Sequence, residues 1–438
     1  MISSDVRVST IEMIGLFLHL HLCAPATVNV LAAARALDLQ ASFEVLPTSP
    51  GVVGWLGADA DATIRVGGPS GPLSRVLWVF SDTLMSLYDA RTESRLLKNF
   101  TMPHSTLGLV ECGLAAHCAP GARPSFFWRA EEPEASAAPP GATTIVSFFE
   151  RAGAPEQTYL WPVMGIPDLA SGGDRALILA CESGLVYLTC TEFVAIVVTN
   201  CSAPSPLDWK YSTHVLPWVP NSTASASWSC CAAISLDPRN ASNVYLLGTS
   251  HGASGLARAA LDDLYAHDWT RVQFWGGAAA GWTMDARLLV ANNLALTSET
   301  TVTYDPVLSL WYSFRVVGGA YDPERAPQLE LYTADAITDA LWSLHSGFYA
   351  VPAPWSNGSY ACYAAKAHPA YASASAASAS AASASESATT VDLVMSWVCN
   401  AADGGFGLLF GKGSMNPAVR AYWPQLMRVT LERTSPRA

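Results

Sequence analysis

The hydrophobic residues of this chain recur in short runs rich in branched and aromatic side chains, and clusters of Gly, Pro, Asn and Asp separate the runs. Such runs predict β-strands, because side chains of this kind pack well on a pleated surface and the polar clusters favour turns. The predicted strands include Val76–Phe80, Thr143–Phe149, Ala176–Ala180, Leu185–Leu188, Phe193–Val198, Asn243–Leu247, Arg287–Val290, Thr301–Tyr304, Leu310–Val316, Val391–Val398 and Gly407–Phe410.

Helical patterns are rare. The three helix-like stretches are Val28–Leu39, Gly255–Tyr265 and Ala334–Leu344. The strand signals are evenly spread and no linker divides them, so the sequence predicts an all-β fold, a propeller or a sandwich, with one domain over residues 42–435. The Ala/Ser-rich tract at 370–390 has no apolar stripe, and we expect a mobile surface-loop insertion there.

Composition limits the partners of the protein. Of its 438 residues half are hydrophobic and 14% are charged, which is enough apolar material for a large core. The net charge is −12 and no Lys/Arg-rich run occurs, so we expect no nucleic-acid partner.

The N-terminus predicts export. The apolar run Met13–Cys23 is too short for a membrane span, and Ala24-Pro25-Ala26 follows it as a small-residue cleavage signal. Residues 1–26 are therefore predicted to be a signal peptide and the protein to be secreted. The alternative is a protein anchored to a membrane by an uncleaved signal.

The cysteines favour disulfides over metal. There are ten cysteines and no C-x-x-C pair, which argues against zinc. Cys362 and Cys399 lie in strand-like segments that flank the Ala/Ser tract, and we predict a bridge between them; Cys112–Cys118 is a second candidate. Five N-x-[ST] tripeptides mark candidate glycosylation sites at Asn99, Asn200, Asn221, Asn240 and Asn357.

Several separated motifs together resemble the five-bladed β-propellers related to glycoside hydrolases, and in particular the propeller family that includes bacterial endo-D-arabinanases. The motifs occur in the order typical of that family and cover most of residues 50–435: Gly57–Asp59, Leu77–Thr83, Met102–Ser105, Leu256–Arg258, Ser298–Thr300, Ala367–Pro369, Val394–Asn400 and Tyr422–Val429. Ser81 and Ser105 depart from the family pattern, which has Gly and Asn there.

The resemblance implies a single five-bladed propeller whose closure pairs Gln425–Leu431 with Ser42–Leu46. It also implies a carbohydrate site. Glycoside hydrolysis needs a protonated acid and a second carboxylate, and we expect Asp59 and Glu299 to be that pair with Asp82 as a third carboxylate. The expected sugar-binding residues are His104, His368, Trp55, Arg258 and Trp282.

Further aromatic candidates near loops are Trp161 and Trp355. Gly248–Gly252 lacks the lysine of a phosphate-binding loop and no G-x-S-x-G motif occurs, so we expect no cofactor, no metal and no serine nucleophile.

Two other functions are compatible with the same residues. The first is a non-catalytic carbohydrate-binding propeller, and the second is a structural extracellular protein that makes protein contacts. Convergence of Asp59, Asp82 and Glu299 in one pocket favours the hydrolase. A pocket with aromatic residues but scattered carboxylates favours the binding propeller, and the lack of a pocket at the propeller axis favours the structural protein. In either of those cases Asp59 and Asp82 close turns and Glu299 is a solvated charge at a strand end.

Overall fold

The computed structural model describes residues 27–44, 52–113, 118–119, 121–131, 144–155, 157–184, 190–217, 229–250, 253–296, 299–319, 322, 324–356, 358–374, 388–402, 406–410, 412–417 and 420–434. Within these ranges the protein is built almost wholly of β-strands, as the hydrophobic pattern predicts. None of the helices in these ranges is both long and apolar enough to cross a membrane.

The strands follow one another through the whole described chain. In chain order they are β1 (Thr27–Arg35), β2 (Gly54–Ala58), β3 (Ala62–Gly68), β4 (Gly71–Phe80), β5 (Thr83–Asp89), β6 (Ser94–Thr101), β7 (Thr106–Glu111), β8 (Ser125–Phe127), β9 (Arg129–Glu131), β10 (Thr144–Val146), β11 (Thr158–Pro167), β12 (Arg175–Gly184), β13 (Cys190–Thr199), β14 (Lys210–Val215), β15 (Ser229–Asp237), β16 (Asn240–Ser250), β17 (Ala253–Ala260), β18 (Gln273–Trp275), β19 (Trp282–Thr283), β20 (Ala291–Asn292), β21 (Thr303–Asp305), β22 (Leu310–Val317), β23 (Gln328–Ala334), β24 (Ser343–Ala350), β25 (Tyr360–Ala367), β26 (Ser373–Ala374), β27 (Ala388–Ala401) and β28 (Gln425–Thr434). The helices are short: α1 (Leu37–Ser42), α2 (Leu261–Tyr265), α3 (Gly277–Ala280) and α4 (Phe406–Phe410).

Five antiparallel sheets contain four or more of these strands. Their orders are β3-β4-β7-β8, β11-β12-β13-β14, β15-β16-β17-β18-β19 with β20 beside β17, β21-β22-β23-β24, and β25-β27-β28-β1 with β26 beside β27. A three-stranded sheet, β2-β5-β6, and the pair β9-β10 complete the described topology.

Alternate residues of a central strand pack against different neighbouring sheets. In β12, Leu177 and Leu179 join a core cluster shared with β16 and β17, whereas Ile178 joins a cluster shared with β3 and β4. Successive side chains of a strand point to opposite faces, so this sheet is buried on both faces between its two neighbours. The near-continuous apolar run in β12 follows from this burial.

One end strand from each of the five sheets lines a common cavity. The cavity has a volume of about 390 Å³, and its walls come from β3, β11, β15, β21 and β25 and from residues next to them. The lining is mostly apolar, with Ile64, Ile166, Ile234 and Val302 among its members. Each of the five sheets thus contributes one strand to the wall of this cavity.

Three disulfides brace the part of the fold that the structure describes. Cys362–Cys399 joins directly opposed residues of β25 and β27, and Cys112–Cys118 closes a short loop; both are the bridges expected from the sequence. The third, Cys181–Cys190, closes the connection between β12 and β13 and was not predicted. Cys201 is buried as a free thiol.

Four local predictions were wrong. Arg287–Val290 is not a strand, because Ala286–Leu288 forms a 3₁₀ turn, and Gly407–Phe410 is part of α4. Gly255–Tyr265 is a strand as far as Ala260 and helical only beyond it, and Ala334–Leu344 contains no helix. The predicted strand Leu185–Leu188 lies outside the described residues, between the end of β12 and the start of β13.

The chain closes its last sheet with a different segment from the one predicted. The partner of β28 is β1, over the register Thr27↔Thr434 to Arg35↔Met427, and not Ser42–Leu46. Ser42 ends α1, and residues 45–46 lie outside the described residues. Most of Val28–Leu39 is therefore a strand rather than a helix, since pairing with β28 outweighs the helix propensity of its alanines.

The ends of the Ala/Ser tract are structured. Residues 369–371 form a 3₁₀ turn, residues 373–374 form β26, and β27 begins at Ala388, while 375–387 lie outside the described residues. Of the candidate glycosylation sites, Asn200 and Asn240 are exposed and Asn99 belongs to β6. Asn221 and Asn357 lie outside the described residues, as do residues 1–26.

Arg95 connects three segments of the fold. Its fully buried guanidinium donates hydrogen bonds to the carbonyl oxygens of Leu56 at 2.9 Å, Leu409 at 3.0 Å and Ala421 at 2.7 Å. Burial lowers the pKa of Arg95 to about 9, so the side chain is still charged at neutral pH. These bonds hold β2 against α4 and the segment before β28.

We predict that Arg95→Met lowers the free energy of unfolding by about 3 kcal/mol, because it leaves three buried carbonyl groups without donors. Urea denaturation measures the change. Arg91→Met is the matched control, since the Arg91 side chain is 93% exposed and its removal should alter stability very little. Equal effects of the two substitutions would contradict this structural role.

Candidate active site

Two adjacent turns carry Asp59 and Asp82. Asp59 directly follows β2, Asp82 directly precedes β5, and these strands pair through Ala58↔Thr83. The Asp59 N–H donates to the Asp82 carbonyl at 3.2 Å, and the Ser81 N–H donates to the Asp59 carbonyl at 3.1 Å. Backbone bonds between the turns therefore place the two carboxylates side by side.

Two tyrosines from another sheet and its flank hold the Asp59 carboxylate. The hydroxyls of Tyr363 and Tyr422 both donate to Asp59 Oδ2 at 2.9 Å. The other oxygen, Oδ1, is enclosed and has no hydrogen-bond partner among the described residues. The approach of Tyr422 requires a glycine at position 57, where φ is +137° and a Cβ atom would collide with the Tyr422 carbonyl oxygen.

Glu299 contributes a third carboxylate from the segment before β21. Its Oε2 is enclosed and lacks a hydrogen-bond partner within the described ranges. The segment is held next to β25, since the Ala367 N–H donates to Thr301 Oγ1 at 2.7 Å. Glu299 thereby comes within electrostatic range of Asp59 and Asp82.

Burial and mutual repulsion favour the protonated forms of these acids. Burial raises the pKa of Asp59 well above its usual value, and the charges of Glu299 and Asp82 raise it further. Burial also raises the pKa of Glu299, where the Lys366 ammonium opposes the shift and Asp82 adds to it. The site therefore retains a proton at a pH where exposed carboxyls are ionised.

Asp82 is held by two ring N–H groups. Its Oδ1 accepts from Trp161 Nε1 at 2.8 Å and lies 2.6 Å from His104 Nδ1. The His104 backbone N–H donates to Ser147 Oγ, and its ring stacks on Tyr159 with the ring centroids 3.6 Å apart. His104 keeps 20% of its side-chain surface exposed, so this side of the site is open to solvent.

A second layer of buried polar groups lies beneath the carboxylates. Lys366 is fully buried, and its ammonium donates to the carbonyl of Val163, the extra residue where the β11–β12 register shifts. Asp61 is also fully buried, and burial raises its pKa to about 7 against the smaller opposing effects of Ser396 and Lys366. The Ser396 hydroxyl also lies 2.7 Å from His368 Nε2.

His368 is not placed to touch a sugar. The side chain is fully buried and contacts Thr63 Oγ1 at 3.2 Å through Nδ1, with Ser396 on Nε2. Burial, assisted by Lys366, lowers the pKa of His368 to about 3, so the ring is neutral. The expected substrate-binding role is wrong, and His368 instead connects β3 with β27.

Three other expected sugar contacts lie elsewhere. Trp55 is 3% exposed and stacks on Phe126 in the core, where no ligand can reach it. Arg258 lies over the Trp282 ring at 4.4 Å and bonds Gln273, so these side chains form a cluster on the sheet of β15–β19 and contact none of the three carboxylates in the described structure. Of the five expected sugar-binding residues, His104 adjoins the carboxylates in the described structure. Of the two further aromatic candidates, Trp161 donates to Asp82, whereas Trp355 is buried in the core.

Sequence reasoning missed Tyr363 and Tyr422, which hold the Asp59 carboxylate, and it missed the buried Lys366. Tyr422 lies inside a motif quoted above, but its neighbours gave no sign that it would face Asp59. Lys366 had a readable signal, since it is the one charged residue in the otherwise apolar strand Tyr360–Ala367. Asp61 is a further carboxyl group that the sequence analysis left without a role.

The described residues contain no group of three or more His, Cys, Asp or Glu side chains arranged to hold a metal ion. What the arrangement offers chemically is a pair of carboxyl groups with raised pKa values, a third carboxylate fixed by two ring donors, and one buried ammonium. Such a set can donate a proton on one side of a bond and accept one, or attack, on the other.

Comparison with known proteins finds similarity in structure only. No protein-family sequence profile matches the chain, and no curated protein sequence matches it. A candidate hydrolase from Bacteroides ovatus is similar over 98% of this chain and 97% of its own, with 14% identity and a TM-score of 0.59. This similarity shows a shared fold.

Weaker structural similarities lie below the level that supports an inference. A GH43 β-1,3-galactosidase solved with galactodeoxynojirimycin matches 80% of this chain and 94% of its own at 7% identity and a TM-score of 0.38. An α-L-arabinofuranosidase from Podospora anserina, solved with cellotriose, matches 90% of this chain and 95% of its own at 8% identity and a TM-score of 0.35.

We predict that Asp61 makes stability fall as the pH rises from about 4 to about 7. The unfolded chain loses this proton near its ordinary pKa of 3.8, whereas the folded protein keeps it up to about 7. Asp61 thus makes the free energy of unfolding higher at pH 4 than at pH 7, by up to about 4 kcal/mol.

Asp61→Asn removes this titration and should flatten the pH dependence. Urea denaturation at several pH values between 4 and 8 measures it, with Asp208→Asn at an exposed position as the control. A pH profile of Asp61→Asn that is parallel to that of the unmodified protein would contradict the prediction.

Proposed function

We propose that this protein is a secreted glycoside hydrolase that cleaves glycosidic bonds in a polysaccharide or glycan. The observation that supports the proposal most is the convergence of Asp59, Asp82 and Glu299, which are far apart in sequence, in one enclosed site where the pKa values of Asp59 and Glu299 are raised. Paired carboxyl groups with one proton between them are the requirement of this reaction.

We also propose the architecture that the sequence resemblance implies, a single five-bladed propeller over residues 42–435 to which β1 adds an outer strand. Support comes from the five sheets that share one cavity and from the fold shared with the Bacteroides ovatus protein. Secretion through a signal peptide over residues 1–26 is part of the proposal, and the three disulfides support it.

In the proposed mechanism Asp59 is the general acid. Its Oδ2 accepts two tyrosine hydroxyls while Oδ1 has no partner among the described residues, an arrangement that suits a carboxylic acid with its proton on Oδ1. The proton passes from Oδ1 to the oxygen of the departing sugar as the glycosidic bond breaks.

Glu299 is the base or nucleophile in this mechanism. The nearby Lys366 ammonium favours its ionised form, and its Oε2 is free of hydrogen bonds from the described residues. Glu299 either removes a proton from the attacking water, which inverts the anomeric centre, or attacks that centre itself, which retains it. Asp82, fixed by Trp161 and His104, stays in place as the third carboxylate.

The first test is a screen of the purified protein against polysaccharides that include D-arabinan, galactan, arabinoxylan and cellulose, with release of reducing ends as the measurement. We expect at least one to be hydrolysed and Glu299→Gln to lower the rate by 10³-fold or more, since it removes the ionisable group and keeps its shape. Sugar binding without turnover by the unmodified protein would favour the binding propeller instead.

The assignment of the proton to Asp59 predicts a leaving-group effect. An aryl glycoside with a 2,4-dinitrophenolate leaving group needs no acid, so Asp59→Ala should keep most of its activity on this substrate and lose it on a natural glycan. Glu299→Ala should lose both activities. The reverse pattern, with activity on the activated substrate kept by Glu299→Ala, would exchange the two roles.

A further inference from the structure

A polar cavity adjoins the carboxylate site on its open side. It has a volume of about 400 Å³, and its lining includes His104, Glu150, Arg151, Ala154, Tyr159 and Glu182; we call it the His104 cavity. His104 forms part of its wall and at the same time lies 2.6 Å from Asp82. His104 therefore lies at the boundary between this cavity and the proposed reaction site.

Aromatic rings form the wall that both regions share. Tyr159 and Trp161 are two residues apart in β11 and so lie on the same face of the strand. Their ring centroids are 5.2 Å apart, Tyr159 stacks on His104, and Trp161 donates to Asp82. This gives a continuous ring surface from Asp82 into the cavity, and such surfaces suit the apolar faces of sugar rings.

The charges of the cavity disfavour acidic ligands. Arg151 donates to both oxygens of Glu182 at 2.5 and 2.8 Å and lies 3.5 Å from Glu192. Glu182 is buried, so the guanidinium is already neutralised inside the wall. The lining also contains the exposed Glu150. An incoming uronate or sulfate would meet more negative than free positive charge, whereas neutral hydroxyls would find donors and acceptors.

We propose that the His104 cavity is a subsite for neutral sugar units of the substrate, next to the bond that is cleaved. This inference rests on the proposed glycan-cleaving function and adds the class of substrate: a neutral oligosaccharide or polysaccharide rather than an acidic one. A volume of about 400 Å³ lies within the range of small-molecule sites. The protein should therefore bind oligosaccharides more tightly than their constituent monosaccharides.

The test separates binding from turnover by using the full chain with Glu299→Gln. Isothermal titration calorimetry measures the affinity for cellotriose, β-1,3-galactotriose, xylotriose and arabinotriose, for each matching monosaccharide, and for trigalacturonate as the acidic probe. Ala154→Trp fills the cavity from a turn that does not touch Asp82, and Ala154→Ser is its matched control. If Ala154→Trp does not fold, Pro155→Trp fills the same cavity from an exposed position.

We expect at least one neutral trisaccharide to bind tenfold or more tightly than its monosaccharide. The tryptophan variant should remove that advantage and leave monosaccharide binding unchanged, and the serine variant should keep it. Trigalacturonate should bind at least tenfold more weakly than the neutral trisaccharide. The subsite is refuted if the advantage survives in the folded tryptophan variant, if no neutral trisaccharide has such an advantage, or if trigalacturonate binds best.

Failure of the subsite and failure of the hydrolase proposal give different results. Trisaccharide binding that Ala154→Trp abolishes, in a protein that cleaves none of the polysaccharides, supports the subsite and refutes hydrolysis. If the protein cleaves a neutral polysaccharide and Ala154→Trp leaves the rate of cleavage unchanged, the result supports hydrolysis and refutes the subsite.

Discussion

Among the described residues, the enclosed site around Asp59 holds more carboxyl groups than cations, and the properties of the site follow from that imbalance. Asp59, Asp61 and Glu299 share their surroundings with one buried ammonium, that of Lys366. Full ionisation of all of them would place several like charges in a medium of low dielectric constant, which is costly. The folded protein avoids this by keeping protons on some of the acids, and a retained proton is what an acid catalyst needs.

The fold keeps these groups together by connections between segments that are remote in sequence. The backbone bonds between the turns of Asp59 and Asp82 fix their relative positions, and Gly57 lets Tyr422 approach closely enough to hold the Asp59 carboxylate. Lys366 extends from β25 to the irregularity in β11, and the disulfide at Cys362 stabilises the strand that carries both Lys366 and Tyr363. A carboxylate cluster of this kind needs such rigid support, because a looser arrangement would relax towards solvent.

Asp82 connects the enclosed cluster with the surface. Its partners Trp161 and His104 are both half-buried, and both belong to the ring surface that leads into the neighbouring polar cavity. The hydrogen bonds of Asp82 thus join the enclosed carboxyl groups to side chains that remain partly accessible to solvent.

Sequence alone predicted the all-β class, most strand positions and two of the three disulfides among the described residues. It also singled out three carboxyl groups that lie within electrostatic range of one another. These predictions depend on local pattern, since branched and aromatic runs make strands wherever they occur, or on motifs such as those around Asp59 and Asp82. It misplaced the closing strand, because alanine-rich Val28–Leu39 favours a helix until β28 offers a partner. Sequence alone also gave no sign that Trp55 and His368 are buried, or that Arg258 and Trp282 pack on each other. Nor did it indicate that Lys366, Tyr363 and Tyr422 surround the acids. Those outcomes depend on which sheets face each other, and only the tertiary structure decides that.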